Sequence, residues 1–121
     1  MNKKELNPYV SVDCVIFGFD LEQLYVLLID SGSMEGYEQS RMAVPGDLIY
    51  DTENLDTAAR RVLKELTGIE NIYLEQIGAF GEPDRIEKKA SDRKWLESIR
   101  AIPEARVITV AYYSLVRMPN F

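Results

Sequence analysis

Three side chains in the middle of this 121-residue chain have the types and spacing for chemistry: Glu53, Arg61 and Glu65. They bracket a segment that ends at Gly68-Ile69. The chain contains no histidine, which removes imidazole general bases, serine–histidine triads and the usual zinc sites. Acid–base or metal chemistry must then rest on Asp and Glu, whose hard oxygens favour magnesium or manganese. Two readings of the trio stand side by side. It is a metal or anion site, or Arg61 and Glu65 are an i, i+4 pair that ties a helix to its loop.

The helix that must position them is the clearest element of the chain. Asn54 is placed as an N-cap, and Asp56 falls in the first turn, where a negative charge suits the helix dipole. Leu55, Ala59, Val62 or Leu63, and Leu66 recur at helical spacing and define one core stripe. Gly68 is a natural left-handed terminator. Before the helix, residues 9–19 are rich in β-branched and aromatic types and form a strand. Residues 20–23 form a turn, and residues 24–29 return as a second strand. Residues 30–41 are loop-like, 42–44 are a short apolar piece, and 47–50 are a further short strand. After the helix, residues 71–80 and 106–117 form strands. The charge-dense stretch 82–105 separates them. Within it a helix is expected over about 92–102, with Trp95, Ile99 and Ile102 on one face. The class is α+β with a mixed sheet, folded as one domain over residues 1–121.

Composition limits the function. The formal net charge is −6, which repels a nucleic-acid backbone over most of the surface. One cysteine, Cys14, excludes an internal disulfide and fits a small buried hydrophobe in a reducing compartment. No apolar run is long enough to span a bilayer, and the N-terminus has no signal-peptide pattern, so the expected location is the cytoplasm without membrane attachment.

The spacing in residues 47–69 resembles the Nudix box, G-x5-E-x7-R-E-U-x-E-E-x-G-U, where U is aliphatic. Glu53, Arg61, Leu63, Glu65, Gly68 and Ile69 match it. Asp47 replaces the opening glycine, with Gly46 just before it. Val62 and Leu66 replace two of the glutamates that hold a divalent cation beside a diphosphate in that family. Segments 8–19, 58–68, Phe80-Gly81, Asp84-Arg85 and 106–113 are similar to one subgroup, the Nudix-related transcriptional regulators of NAD synthesis or sugar utilisation. The resemblance implies a Nudix-like sheet/helix sandwich, here without the last family elements at the C-terminus and with an insertion at about 86–105. It implies a domain that senses a small effector, such as ADP-ribose or a sugar, and does not hydrolyse it. It further implies a homodimer, with DNA contact through a winged-helix domain not present in these residues.

The sites follow from that resemblance. Glu65 and Glu53 are the vestigial catalytic and metal candidates. Arg61, Asp84, Arg85, Arg106 and Tyr112 are the ligand-binding candidates. No cofactor is required, and magnesium or manganese enters only if the box still binds metal. The alternative is a metal-dependent hydrolase of a nucleoside diphosphate derivative, with Asp47, Asp51 and Glu82 as replacement carboxylates. A third reading is a dimerisation module without ligand. Asp13 stands on a half-exposed strand face or against a cavity, and Tyr113 shares the stacking reading given to Tyr112.

Overall fold

The computed structural model of the chain describes residues 5–30, 42–83 and 106–118. The first strand, β1 (Leu6–Phe19), alternates in burial from Ser11 to its end. Val12, Cys14, Ile16 and Gly18 are buried on one face, and Ser11, Asp13, Val15 and Phe17 are half-buried on the other. Asp20 Oδ1 accepts the backbone N–H groups of Glu22 and Gln23, both at 2.8 Å, and closes the turn into β2 (Leu24–Val26).

The single returning strand expected over 24–29 is divided. After β2 the chain leaves β1, and β3 (Ile29–Asp30) pairs with β4 (Met42–Ala43) in a separate two-stranded sheet. The reason is competition for one edge. β5 (Gly46–Tyr50) occupies that edge of β1 up to Asp13, and Cys14 N donates to Pro45 O at 2.8 Å. β2 therefore has only the end of β1 to pair with, at Phe17, Gly18 and Phe19.

The helix forms as its signals indicate. In α1 (Leu55–Thr67), Asn54 caps the N-terminus by accepting from Thr57 N at 2.8 Å, and Gly68 ends the helix at φ 79°. Its apolar stripe consists of Ala58, Ala59, Val62 and Leu63. The two alanines let the helix come close to the sheet, where Cys14 Sγ lies 3.4 Å from Ala59 O. Leu66 departs from the expected stripe. It falls in the last turn, beyond the packed region, and is 39% exposed.

The remaining strands complete the main sheet. β6 (Glu75–Phe80) starts later than the expected residue 71, because Asn71 adopts a left-handed φ of 65° that an extended strand does not accommodate. β7 (Ile108–Arg117) runs parallel to β1 over ten pairs, from Val10↔Ile108 to Phe19↔Arg117. The strand order is β2-β1-β7-β6, with β5 on β1, which makes a mixed five-stranded sheet. The core lies between this sheet and α1, with Val12, Ile16, Ile49, Val62, Leu63 and Tyr112 at its centre. Among the described residues no helix is long and apolar enough to cross a membrane. The helix expected over 92–102, the insertion at 86–105, and Asp84 and Arg85 lie outside the described residues.

Candidate functional site

The chemistry-bearing trio converges at the loop between β5 and α1. That loop turns on itself at Glu53, whose N–H donates to Tyr50 O at 3.0 Å and whose Oε1 accepts from Tyr50 N at 2.8 Å. The carboxylate is thereby directed under the start of α1. Arg61, two turns into the helix, reaches back to it. Its Nε meets Glu53 Oε2 at 2.6 Å and its NH2 meets Oε1 at 2.9 Å. NH2 also donates to Leu48 O at 3.2 Å, and NH1 to Glu65 Oε2 at 3.0 Å. The guanidinium carbon lies 4.3 Å from the centre of the Tyr50 ring. The Arg61 and Glu53 side chains are 17% and 7% exposed, whereas Glu65 is 56% exposed.

This is a brace. A planar fork of donors suits a carboxylate at two points, and here it also holds a strand carbonyl and an aromatic face. The Glu53 hydrogen bonds, ahead of the partly opposing effect of burial, raise the Arg61 pKa further above its already high ordinary value. Glu53, more than Glu65, is the tie between helix and loop.

The other candidates lie apart from the brace. Arg106 donates through Nε and NH2 to the carbonyl of Gly81, joining the end of β6 to the approach to β7. Tyr112 is 1% exposed. Its hydroxyl donates to Asp56 Oδ1 at 2.7 Å, and burial with that bond pushes its pKa up to about 12. Its ring is core packing, so it is not placed to stack on a ligand. Tyr113, on the opposite face of β7, is half-buried and donates to Glu75 at 2.6 Å. Asp13 is half-buried over Gly46, where an added Cβ would stand 2.0 Å from Asp13 Oδ1 and 3.0 Å from Val12 O. Gly46 is thus required by the approach of β5 to β1.

No protein-family model matches the chain. It is 34% identical over 118 residues to the ADPR responsive transcriptional repressor NtrR of Acinetobacter baylyi, a match covering 95% of this chain and 40% of that relative. Among solved structures it resembles the NUDIX domain of Shewanella oneidensis NrtR complexed with ADP ribose. That superposition has a TM-score of 0.64 and 25% identity, over 92% of this chain and 62% of the other. It also resembles a MutT/nudix family protein from Enterococcus faecalis, with a TM-score of 0.65 and 27% identity, over 95% of this chain and 39% of the other. The chain is a Nudix-like domain. It spans 40% of the length of the curated relative that it matches.

Among the described residues, the donors of this Nudix-like domain do not fit the divalent cation its fold family implies. Val62 is fully buried in the core, and Leu66 offers no oxygen. Both oxygens of Glu53 are engaged by Arg61 and the Tyr50 amide. Glu65 alone cannot supply the several hard oxygens that magnesium takes. Of the replacement carboxylates, Asp47 Oδ1 accepts from Leu48 N at 2.7 Å, and Asp51 Oδ1 accepts from Asn7 Nδ2 at 2.7 Å. Glu82 is exposed beyond the end of β6. Among the described residues no three Asp, Glu or Cys side chains gather as metal ligands. The Tyr50 stack had no signal in the sequence, since it depends on which face of β5 meets α1. The same holds for the Gly46–Asp13 contact, which depends on the register of β5 against β1.

Proposed function

We propose that this Nudix-like domain recognises a nucleotide sugar of the ADP-ribose class without hydrolysing it, as the effector-sensing part of a transcriptional repressor. The observation that carries this reading is the state of the box. Its arginine and first glutamate are closed on each other as a brace, and two of its metal positions are hydrocarbon. Such a helix still shapes a cleft but lacks the oxygens to polarise a phosphoryl group. The names of the relative and of the ADP-ribose complex support the choice of ligand.

In this reading the exposed Glu65 and the solvent-facing Arg106 contact the effector. Asp84 and Arg85 are further contact candidates, and Arg61 contributes by holding the loop in place. The domain pairs as a homodimer, and DNA contact belongs to a region of the whole protein outside these acidic 121 residues. The effector shifts the assembly by its differential affinity for two states.

The test is a thermal melt of the full chain with ADP-ribose, with and without magnesium, beside an assay for ADP-ribose cleavage. At about 100 times the dissociation constant, stabilisation reaches about 2.7 kcal/mol, readily visible as a shift in Tm. No cleavage products form. A chain that ADP-ribose leaves unshifted, or one showing magnesium-dependent turnover abolished by Glu65→Gln, overturns the proposal.

A further inference from the structure

A cleft of about 340 Å³ opens behind α1, between the helix and the loop leading to β6. Its floor is aliphatic: Leu63 and Leu74 are buried, and Ile69 and Ile72 are half-buried. Its rim is cationic. Arg60 and Lys64 stand one turn apart on the helix and face the loop at Glu70 to Ile72. Two residues along a helix rotate a side chain by about 200°, so Arg60 and Lys64 point away from Val62, which lies midway between them. The cleft is therefore on the flank of α1 opposite the box position at 62.

The charges on this rim are not all neutralised. Arg61, which borders the cleft, is held by Glu53 and Glu65. Lys64 meets Glu70 at 3.1 Å, with side-chain exposures of 63% and 54%, a surface pair that exchanges at little cost. Arg60 donates NH1 to Ile72 O at 2.9 Å and forms no ion pair among the described residues. Glu70 is the single acidic residue lining the cleft. A concave, mostly apolar site with a few convergent polar groups is the usual form of a small-molecule pocket.

We propose that this cleft is a second ligand site, for an amphipathic organic anion: a carboxylate or phosphate monoester whose apolar body lies on Leu63, Ile69, Ile72 and Leu74. Its anionic head takes Arg60 and displaces Glu70 from Lys64. The site goes beyond the effector reading, since its ligand needs neither a ribose nor a diphosphate.

The experiment is an amide NMR titration of the full chain with octanoate, octyl phosphate and inorganic phosphate, each alone. Saturable shifts at Lys64, Asn71 and Ile72 are expected with one or both octyl compounds, and which of them binds tighter identifies the head group. Inorganic phosphate should not saturate there, because it has no apolar body. Lys64→Glu and Arg60→Glu should each weaken the octyl ligand about tenfold, the effect of losing roughly 1.4 kcal/mol. Lys64→Glu alters only an exposed pair, so its fold is expected to be intact. ADP-ribose, titrated separately, should move amides outside the cleft and bind Lys64→Glu as it binds the parent. Absence of saturation with both octyl compounds overturns the site. So does equal binding by inorganic phosphate, or unchanged octyl binding in Lys64→Glu. ADP-ribose shifts that fall on the cleft itself overturn its separateness and leave the effector reading standing.

Discussion

Replacing Arg61 by methionine is the most direct test of the brace. The substitution keeps an apolar stem of similar reach and removes the fork. It deletes two bonds to Glu53, at 2.6 and 2.9 Å, and the bond to the Leu48 carbonyl at 3.2 Å. It also deletes the contact with the Tyr50 ring at 4.3 Å. Glu53 is 7% exposed and is left beside the helix without its cation. Removing one partner of a buried pair costs about 3–5 kcal/mol, and the partial exposure of Arg61 places the loss near 3 kcal/mol. The ring contact adds about 0.5–1 kcal/mol. The bond to the exposed Glu65 adds only about 0.2–0.5 kcal/mol. A total of about 4 kcal/mol is therefore expected, a large share of the ~5–15 kcal/mol by which domains are usually stable. Urea unfolding followed by far-ultraviolet circular dichroism measures it. Arg61→Lys should recover less than half of the loss, because an ammonium has no fork for the carboxylate. Adding Glu53→Gln to Arg61→Met should cost clearly less than the two single losses combined, since the stranded charge is gone. A loss below about 1 kcal/mol for Arg61→Met, or full recovery by lysine, would refute the brace as the tie between loop and helix.

Restoring the box carboxylates should not restore chemistry. Val62→Glu places a charge at a fully buried position and is expected to cost several kcal/mol, whereas Leu66→Glu at an exposed position should stay within about 0.5 kcal/mol; thermal melts of the two variants check the contrast. Tyr112 should give the domain an alkaline weakness. Its phenol stays neutral to about pH 12 when folded but ionises near pH 10 when unfolded, so its contribution is complete below pH 10 and is lost between pH 10 and 12. Tyr112→Phe should cost about 1 kcal/mol at neutral pH and flatten that limb in a pH series of urea melts.

Legibility differed by the range of the interaction. The limits of α1 were readable because Asn54 and Gly68 act on their own neighbours. The first and last strands were readable for the same local reason, as dense β-branched runs. The division of the returning strand was not, because it depends on β5 occupying the edge of β1 across a long gap in sequence. At the site, the box spacing brought Glu53, Arg61 and Glu65 together correctly but could not say which carboxylate Arg61 prefers. That depends on Glu53 curling under the helix through Tyr50, a loop conformation. Leu66 misled because period alone does not say where the sheet beneath a helix stops. Tyr112 misled because strand alternation leaves open which face is the core until α1 is placed on one side.

The parallel pairing of β1 with β7 has a consequence for how the chain is made. Ser11 and Thr109, joined through their hydroxyls at 2.8 Å, are separated by 98 positions. A ribosome adding about 5–20 residues per second needs on the order of 5–20 s to bring the second partner out. During that interval α1 and β5 can already lie on β1, but the core still lacks Val110 and Tyr112. The nascent chain would hold a long apolar strand with one edge open, the state most prone to pair with the wrong neighbour. Folding of this domain is therefore expected to wait for β7 as the closing event, with the open edge of β1 guarded until then.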